Sequence, residues 1–175
     1  MSLRYKKIAF YILLVSTIIM IVLMFLQGRP LKTPSTSLGI INLELAGNSL
    51  AVESILDSWV ELSTDSTDLI HIAIQNTWLD FLFILSYTSF LITCCLWAQA
   101  KPSLTLKLLA LMAFLAGVLD VFENIGMLRS LHGSITDGNA FGTAVSAYFK
   151  WIIVALVLLM LALFYGRKIT RKVRL

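Results

Sequence analysis

Charge is what this chain has least of. Only 14% of its 175 residues are Asp, Glu, Lys or Arg, against roughly 25% in soluble domains, so a fully solvated surface is excluded. Cysteine is limited to the adjacent pair Cys94 and Cys95. Neighbouring cysteines do not readily bridge each other, and no C-x-x-C pattern exists, so the two read as small apolar packing residues. Histidine is equally sparse. His71 and His132 lack H-E-x-x-H spacing and make a poor zinc signal. P-loop, nucleotide-binding, haem and Ser–His–Asp signatures are absent as well.

What fills the chain is hydrocarbon. Hydrophobic residues make up 58% and the mean hydropathy is +0.87. They concentrate in four runs, residues 8–26, 72–99, 104–128 and 141–165. Each is near or above the ~20 residues a helix needs to cross a bilayer. Continuous apolar runs exclude the alternating pattern of a membrane barrel. The expectation is an all-α integral membrane protein: one domain over residues 1–175, an antiparallel four-helix bundle with a short amphipathic extracytoplasmic helix, in contact with the lipid bilayer.

The net charge of +4 raises nucleic acid as a partner, but its placement points to topology instead. With both termini cytoplasmic, Arg4, Lys6, Lys7, Lys101, Lys107, Arg167, Lys168, Arg171, Lys172 and Arg174 collect inside. Arg29, Lys32, Arg129 and Lys150 remain outside or in the outer leaflet. That bias follows the positive-inside rule and leaves no nucleic-acid surface. The first run begins like a signal peptide, yet its apolar core is too long and no small-x-small site follows before Gln27-Gly28-Arg29-Pro30, so it reads as an uncleaved anchor.

Residues 30–68 form the sizeable segment outside the spans. Pro30, Pro34 and the Ser/Thr cluster at 33–37 predict an extended linker. Residues 38–47 show no clear period and suggest a strand-like piece or interfacial loop. From Ser49 to Leu62 the pattern is helical, with Asn48 as N-cap. Val52, Ile55, Leu56 and Trp59 share its apolar face; Glu53, Asp57 and Glu61 stand four apart on the other. An acidic amphipathic helix favours packing on the bundle over lying on anionic lipid, with a loosely attached surface helix as the alternative. Asp68 and Ser103 are candidate N-caps, Lys101-Pro102-Ser103 is a tight turn, and residues 129–140 join the last two spans.

The chemistry concentrates in Gly117-Val-Leu-Asp120-Val-Phe-Glu123-Asn124. Positions 120, 123 and 124 have i, i+3, i+4 spacing and project from one helix face. An ionised side chain at mid-bilayer costs about 2.5–3.5 kcal/mol even on lenient scales, so such residues need partners. At 1.5 Å per residue, Asp80, Asp120 and Lys150 each lie roughly 12–13 Å inside the outer ends of their spans, and Glu123 roughly 7–8 Å. Three helices thus bring ionisable groups to one level. Asn76, Asp80 and Tyr87 share a stripe; so do Thr143, Ser146 and Lys150; Ala113, Ala116 and Gly117 allow close helix approach. Three carboxylates against one lysine leave two uncompensated negative charges, which requires a bound proton, a cation, water or a cationic ligand group. Glu44, His71 and His132 are placed to join from outside, while Lys150 has the alternative of snorkelling to the interface.

The candidate ligand-binding residues are therefore Glu44, Asn76, Asp80, Tyr87, Asp120, Glu123, Asn124 and Lys150. The ligand would be a cation, a small polar solute or a lipid headgroup. Two alternatives stand beside this. One is an intramembrane hydrolase acting on a lipid or lipoprotein, with Asp80, Asp120 and Glu123 as catalytic or metal candidates. Their oxygen ligands would favour Mg²⁺ or Ca²⁺ over zinc. The other is a network that only holds the helices together. The sequence sets neither the ligand nor the oligomeric state.

Taken together, Leu-Glu44-Leu-Ala-Gly, Asp57-Ser-Trp59, Leu-Asp80-Phe-Leu-Phe-Ile-Leu-Ser-Tyr87, the 117–124 motif and Lys150-Trp resemble a group of small bacterial four-span membrane proteins without an assigned activity. The resemblance covers residues 38 to 155. It implies a bacterial inner membrane and no reaction. Lipoprotein signal peptidase shares the architecture and two membrane aspartates, but its Asn-x-x-Asp and glycine-rich motifs are missing here. The Gly-x-Gly-Asp of presenilin-type proteases is missing too.

Overall fold

The structure, a computed structural model, describes residues 3–99 and 102–173. Ala100, the expected end of the second span, and Lys101 and Arg174, counted among the cytoplasmic cations, lie outside the described residues. Helix α1 spans Leu3–Gly28 and passes into a 3₁₀ turn, Arg29–Leu31. Two short helices follow, α2 (Ile40–Glu44) and α3 (Ser49–Leu62). Three long ones complete the chain: α4 (Leu69–Trp97), α5 (Leu104–Leu131) and α6 (Asp137–Val173). α1, α4, α5 and α6 are each long and apolar enough to cross a membrane.

α1, α5 and α6 extend past the apolar runs that announce them, while α4 starts earlier, at Leu69, and ends at Trp97; side-chain caps set the starts of α3, α4 and α5. Asp68 accepts from His71 N at 3.0 Å and starts α4. Ser103 accepts from Leu106 N at 3.3 Å and starts α5, and Asn48 accepts from Ala51 N at 2.8 Å and starts α3. These are the residues the sequence marks as N-caps. α5 continues through Leu131 and α6 begins at Asp137, so the expected 129–140 connection is shorter than its polarity suggests.

Residues 38–47 depart from expectation. They form a helical turn, not a strand or loop: Gly39, at φ 66°, supplies the left-handed entry and α2 follows it. A residue with a Cβ would be strained there, so the glycine sets where the turn can start. The linker before it is equally organised. Trp59 is fully buried and donates from Nε1 to Thr36 Oγ1 at 3.0 Å and to Leu31 O at 3.2 Å. An aromatic on the α3 face thereby fastens the chain leaving α1.

The long helices pack in the order α1–α4–α5–α6. α5 and α6 form the closest pair, and α1 rests on α4 with at most marginal contact to α5 and α6. Of the four, α1 is the least buried and α5 the most. Two apolar cores result. One lies toward the termini, built from Ile84, Leu91, Cys95, Leu106, Ala113, Val157 and Leu161 among others. The other fastens the cap: Val52, Leu56 and Trp59 of α3 join Leu31, Leu43, Ala73, Met127 and Leu131. Glu53, Asp57 and Glu61 face away from it, so α3 packs its apolar side on the bundle as its periodicity predicts. Ser49 donates from both N and Oγ to Asp137 Oδ1, at 2.8 and 2.7 Å, tying the start of α3 to the start of α6.

Candidate functional site

Between the two cores, the capped half of the bundle holds a polar cluster centred on Lys150. Its Nζ donates to Asp120 Oδ1 at 2.6 Å and to Glu123 Oε1 at 2.8 Å, and lies 3.9 Å from Glu44 Oε2. Lys150 is 7% exposed and turned inward, so it does not snorkel. The reason is local: three carboxylates within 4 Å offer the ammonium more than an interfacial position would. Its Nζ also lies 5.4 Å from the Trp151 ring centroid.

α5 contributes the acidic turn as its spacing requires. Asp120, Glu123 and Asn124 are all buried and divide between two neighbours. Asp120 bridges both, accepting from Tyr87 Oη on α4 at 2.8 Å through Oδ2 and from Lys150 on α6 through Oδ1. Glu123 turns to α6. Asn124 turns to α4 and donates from Nδ2 to Asp80 Oδ2 at 2.7 Å. Small residues make the approach possible. A Cβ at Gly117 would lie 2.6 Å from Thr88 Oγ1, and one at Gly126 would collide with Thr143 Oγ1.

Not every expected residue joins. Asn76 is buried and stays out of the ion cluster, its amide donating to Met24 O at 3.2 Å and to Gln27 Oε1 on α1, although it lines the adjoining cavity. Thr143 donates back to Asn139 O and serves helix packing. His71 and His132 are exposed, bonded to Gln75 and to Leu128 O respectively, and do not reach the cluster. Cys94 and Cys95 are buried, unpaired members of the terminal core. Among the described residues no group of three or more His, Cys, Asp and Glu side chains is placed to hold a metal ion. Between Asp120 and Glu123 the cationic position belongs to the Lys150 ammonium.

A cavity of about 440 Å³ adjoins the cluster. Glu44, Asp80, Tyr87, Asp120 and Lys150 supply its polar side. Ile21 and Met24 of α1, Ile40 and Ile41 of α2, Phe83 of α4 and Val154 of α6 supply its apolar sides. α2 roofs it and places Glu44 from outside the spans. Burial raises the Glu44 carboxyl above its ordinary range, with the nearby Lys150 ammonium opposing. Several acceptors in this region receive no hydrogen bond: Glu44 Oε2, Glu123 Oε2 and Asn124 Oδ1.

Sequence reasoning misses the apolar lining, because an apolar residue on a membrane helix carries no mark of which side it faces. It also passes over Gln27, whose signal was available: a lone amide ending an apolar run. Asn139, which donates to Gly126 O and Ser130 Oγ at 2.9 Å each and staples α6 to α5, is the third omission.

The fold and the cluster define a class: an all-α, candidate multi-pass membrane protein with a buried lysine ion-paired to Glu44, Asp120 and Glu123. No protein-family model, curated protein or solved structure matches the chain.

Proposed function

We propose that the capped half of this protein is a ligand-binding pocket in a bacterial inner membrane, with both termini cytoplasmic and the α2–α3 cap outside. The whole chain acts as one membrane unit. Its ligand is a cation, a small polar solute or a lipid headgroup, held by Glu44, Asp80, Asp120 and Lys150, with Tyr87, Glu123 and Asn124 fixing the carboxylates. The observation that carries this reading is the cavity itself. A network serving only to join helices has no need of about 440 Å³ of space beside it, nor of a buried glutamate whose Oε2 no donor reaches. The volume falls in the roughly 300–1,000 Å³ range of small-molecule sites.

A second reading, a purely structural network, draws support from the bonds that join α4 to α5 and α5 to α6 through Asp120 and Lys150. Thermal unfolding of the full-length protein in a neutral detergent separates the two. Mg²⁺, Ca²⁺, ethanolamine and extracted phospholipids are the additives. A ligand pocket predicts that at least one raises the melting temperature and that Asp80→Asn abolishes the rise. A structural network predicts that Asp120→Asn lowers the melting temperature while no additive shifts either protein.

A further inference from the structure

We propose that the pocket takes an amphiphile with an ammonium headgroup, admitted sideways from the bilayer between α1 and α6. The inference rests on the ligand-pocket reading above and names its ligand class and route.

The headgroup follows from which polar atoms are already spent. The donors at the pocket are committed: Lys150 bonds Asp120 and Glu123, Tyr87 bonds Asp120, the Asn76 amide bonds Met24 O and Gln27 Oε1, and the Trp151 indole is turned to Glu44. What remains is acceptor. Glu44 is 8% exposed, lines the cavity and receives no hydrogen bond at Oε2. Asp80 lines it too and spends one carboxylate oxygen on Asn124, keeping the other available. An incoming group must therefore donate hydrogen bonds. Carboxyl groups here outnumber the single ammonium, so a cationic donor is favoured over a neutral one, and an anionic phosphate brought to the same atoms would be repelled.

The tail follows from the other walls. Ile21, Met24, Phe83 and Val154 present hydrocarbon to the same space. A bare cation would leave that surface uncovered, whereas plain hydrocarbon would leave the buried acceptors without donors. Only a molecule with both ends answers both sides. The route follows from the packing. All four long helices and α2 contribute lining residues. α1 is held by α4 and makes at most marginal contact with α6, so the way in from the acyl chains lies between these two helices.

The test uses the full-length protein in dodecyl maltoside, with dodecylammonium, dodecanoate and ethanolamine as probes. In parallel, it uses phosphatidylglycerol nanodiscs with and without phosphatidylethanolamine. Dodecylammonium should raise the melting temperature by about 5 °C at saturation, and dodecanoate and ethanolamine at the same concentration should not. Asp80→Asn should remove the rise. So should Val154→Trp, which fills the tail channel and leaves every carboxyl in place, and it decides the matter if Asp80→Asn does not fold. A matching rise from phosphatidylethanolamine identifies a phospholipid amine as the source; a rise confined to dodecylammonium identifies a free amphiphile. Either supports the proposal. Ethanolamine acting as strongly as dodecylammonium, or a rise that survives Val154→Trp, overturns the amphiphile while leaving a polar-ligand pocket standing. No rise from any probe, nor from Mg²⁺ or Ca²⁺, overturns both.

Discussion

The two halves of the bundle are built from the same helices and solve the same packing problem by different means. Toward the termini, α4, α5 and α6 meet through Ile84, Leu91, Cys95, Leu106, Ala113 and Val157, with no ion pair among the described residues. Toward the cap they meet through Lys150, Asp120, Glu123, Tyr87, Asn124 and Asp80. The terminal half teaches that shape alone can hold these helices together. Buried ion pairs are a weak source of stability, since desolvation offsets most of their Coulombic gain and apolar replacements of similar volume are often neutral or better. The capped half therefore carries a group of charges that association does not require. Their position beside an amphiphilic cavity of about 440 Å³ argues that they are retained for what enters it.

The largest expected effect breaks that comparison at its centre. Lys150→Met leaves Asp120 and Glu123 buried without a counter-charge, and breaking a buried pair costs about 3–5 kcal/mol. A fall of roughly 10 °C in melting temperature follows for a chain of this size. Adding Asp120→Asn and Glu123→Gln removes the stranded charges, and the triple variant should recover most of the loss. If the single variant melts within a degree or two of the parent, the ion cluster is not closed in the membrane-embedded protein as drawn here.

The apolar half supplies the contrast. Leu106 is almost fully buried in the terminal core, and Leu106→Ala should cost about 2–5 kcal/mol through the cavity it leaves. The two variants differ in kind more than in size. Leu106→Ala should lower the melting temperature while leaving any amine-dependent rise intact. Lys150→Met should alter both, because Lys150 lines the pocket. A loss of the ligand response in Leu106→Ala would mean that the halves are coupled and the division drawn above is too sharp.

The same contrast explains how much could be read beforehand. Charged residues in an apolar run stand out because lipid makes them costly, so Asp80, Asp120, Glu123 and Lys150 and their common depth are legible from spacing and rise per residue. Caps are legible for the same kind of reason: Asn48, Asp68 and Ser103 are polar side chains placed where backbone N–H groups lack partners. The apolar core and pocket walls are not legible. Ile21 lines the cavity and its neighbour Val22 does not, although both are about half exposed, and nothing in their chemistry distinguishes them. The α2 turn escaped because five residues are too few for a period to declare itself, and Gly39 is informative only once its φ is known. Asn76 lies on the expected face, one turn from Asp80, and lines the cavity with it, yet its amide is held by α1 and not by the ion cluster.

The smallest effect concerns Glu44, which α2 brings to the cluster from outside the spans. Burial raises its carboxyl above the ordinary value near 4.5 in the folded protein. A raised acid binds more protons folded than unfolded, so its contribution favours folding below the unfolded value and is lost as pH rises through the folded one. Glu44→Gln carries no titrating proton at that position. Relative to wild type it should be close to neutral at pH 4 and comparatively more stable as pH climbs, with the Lys150 ammonium opposing the effect of burial. Melting curves of both proteins from pH 4 to pH 8 read this directly. A difference that stays flat across that range would place Glu44 in water and remove it from the pocket, whereas one that reverses sign would make Lys150 its dominant partner. Leu106→Ala, measured alongside, should run parallel to wild type throughout, since the core it belongs to is built from apolar side chains.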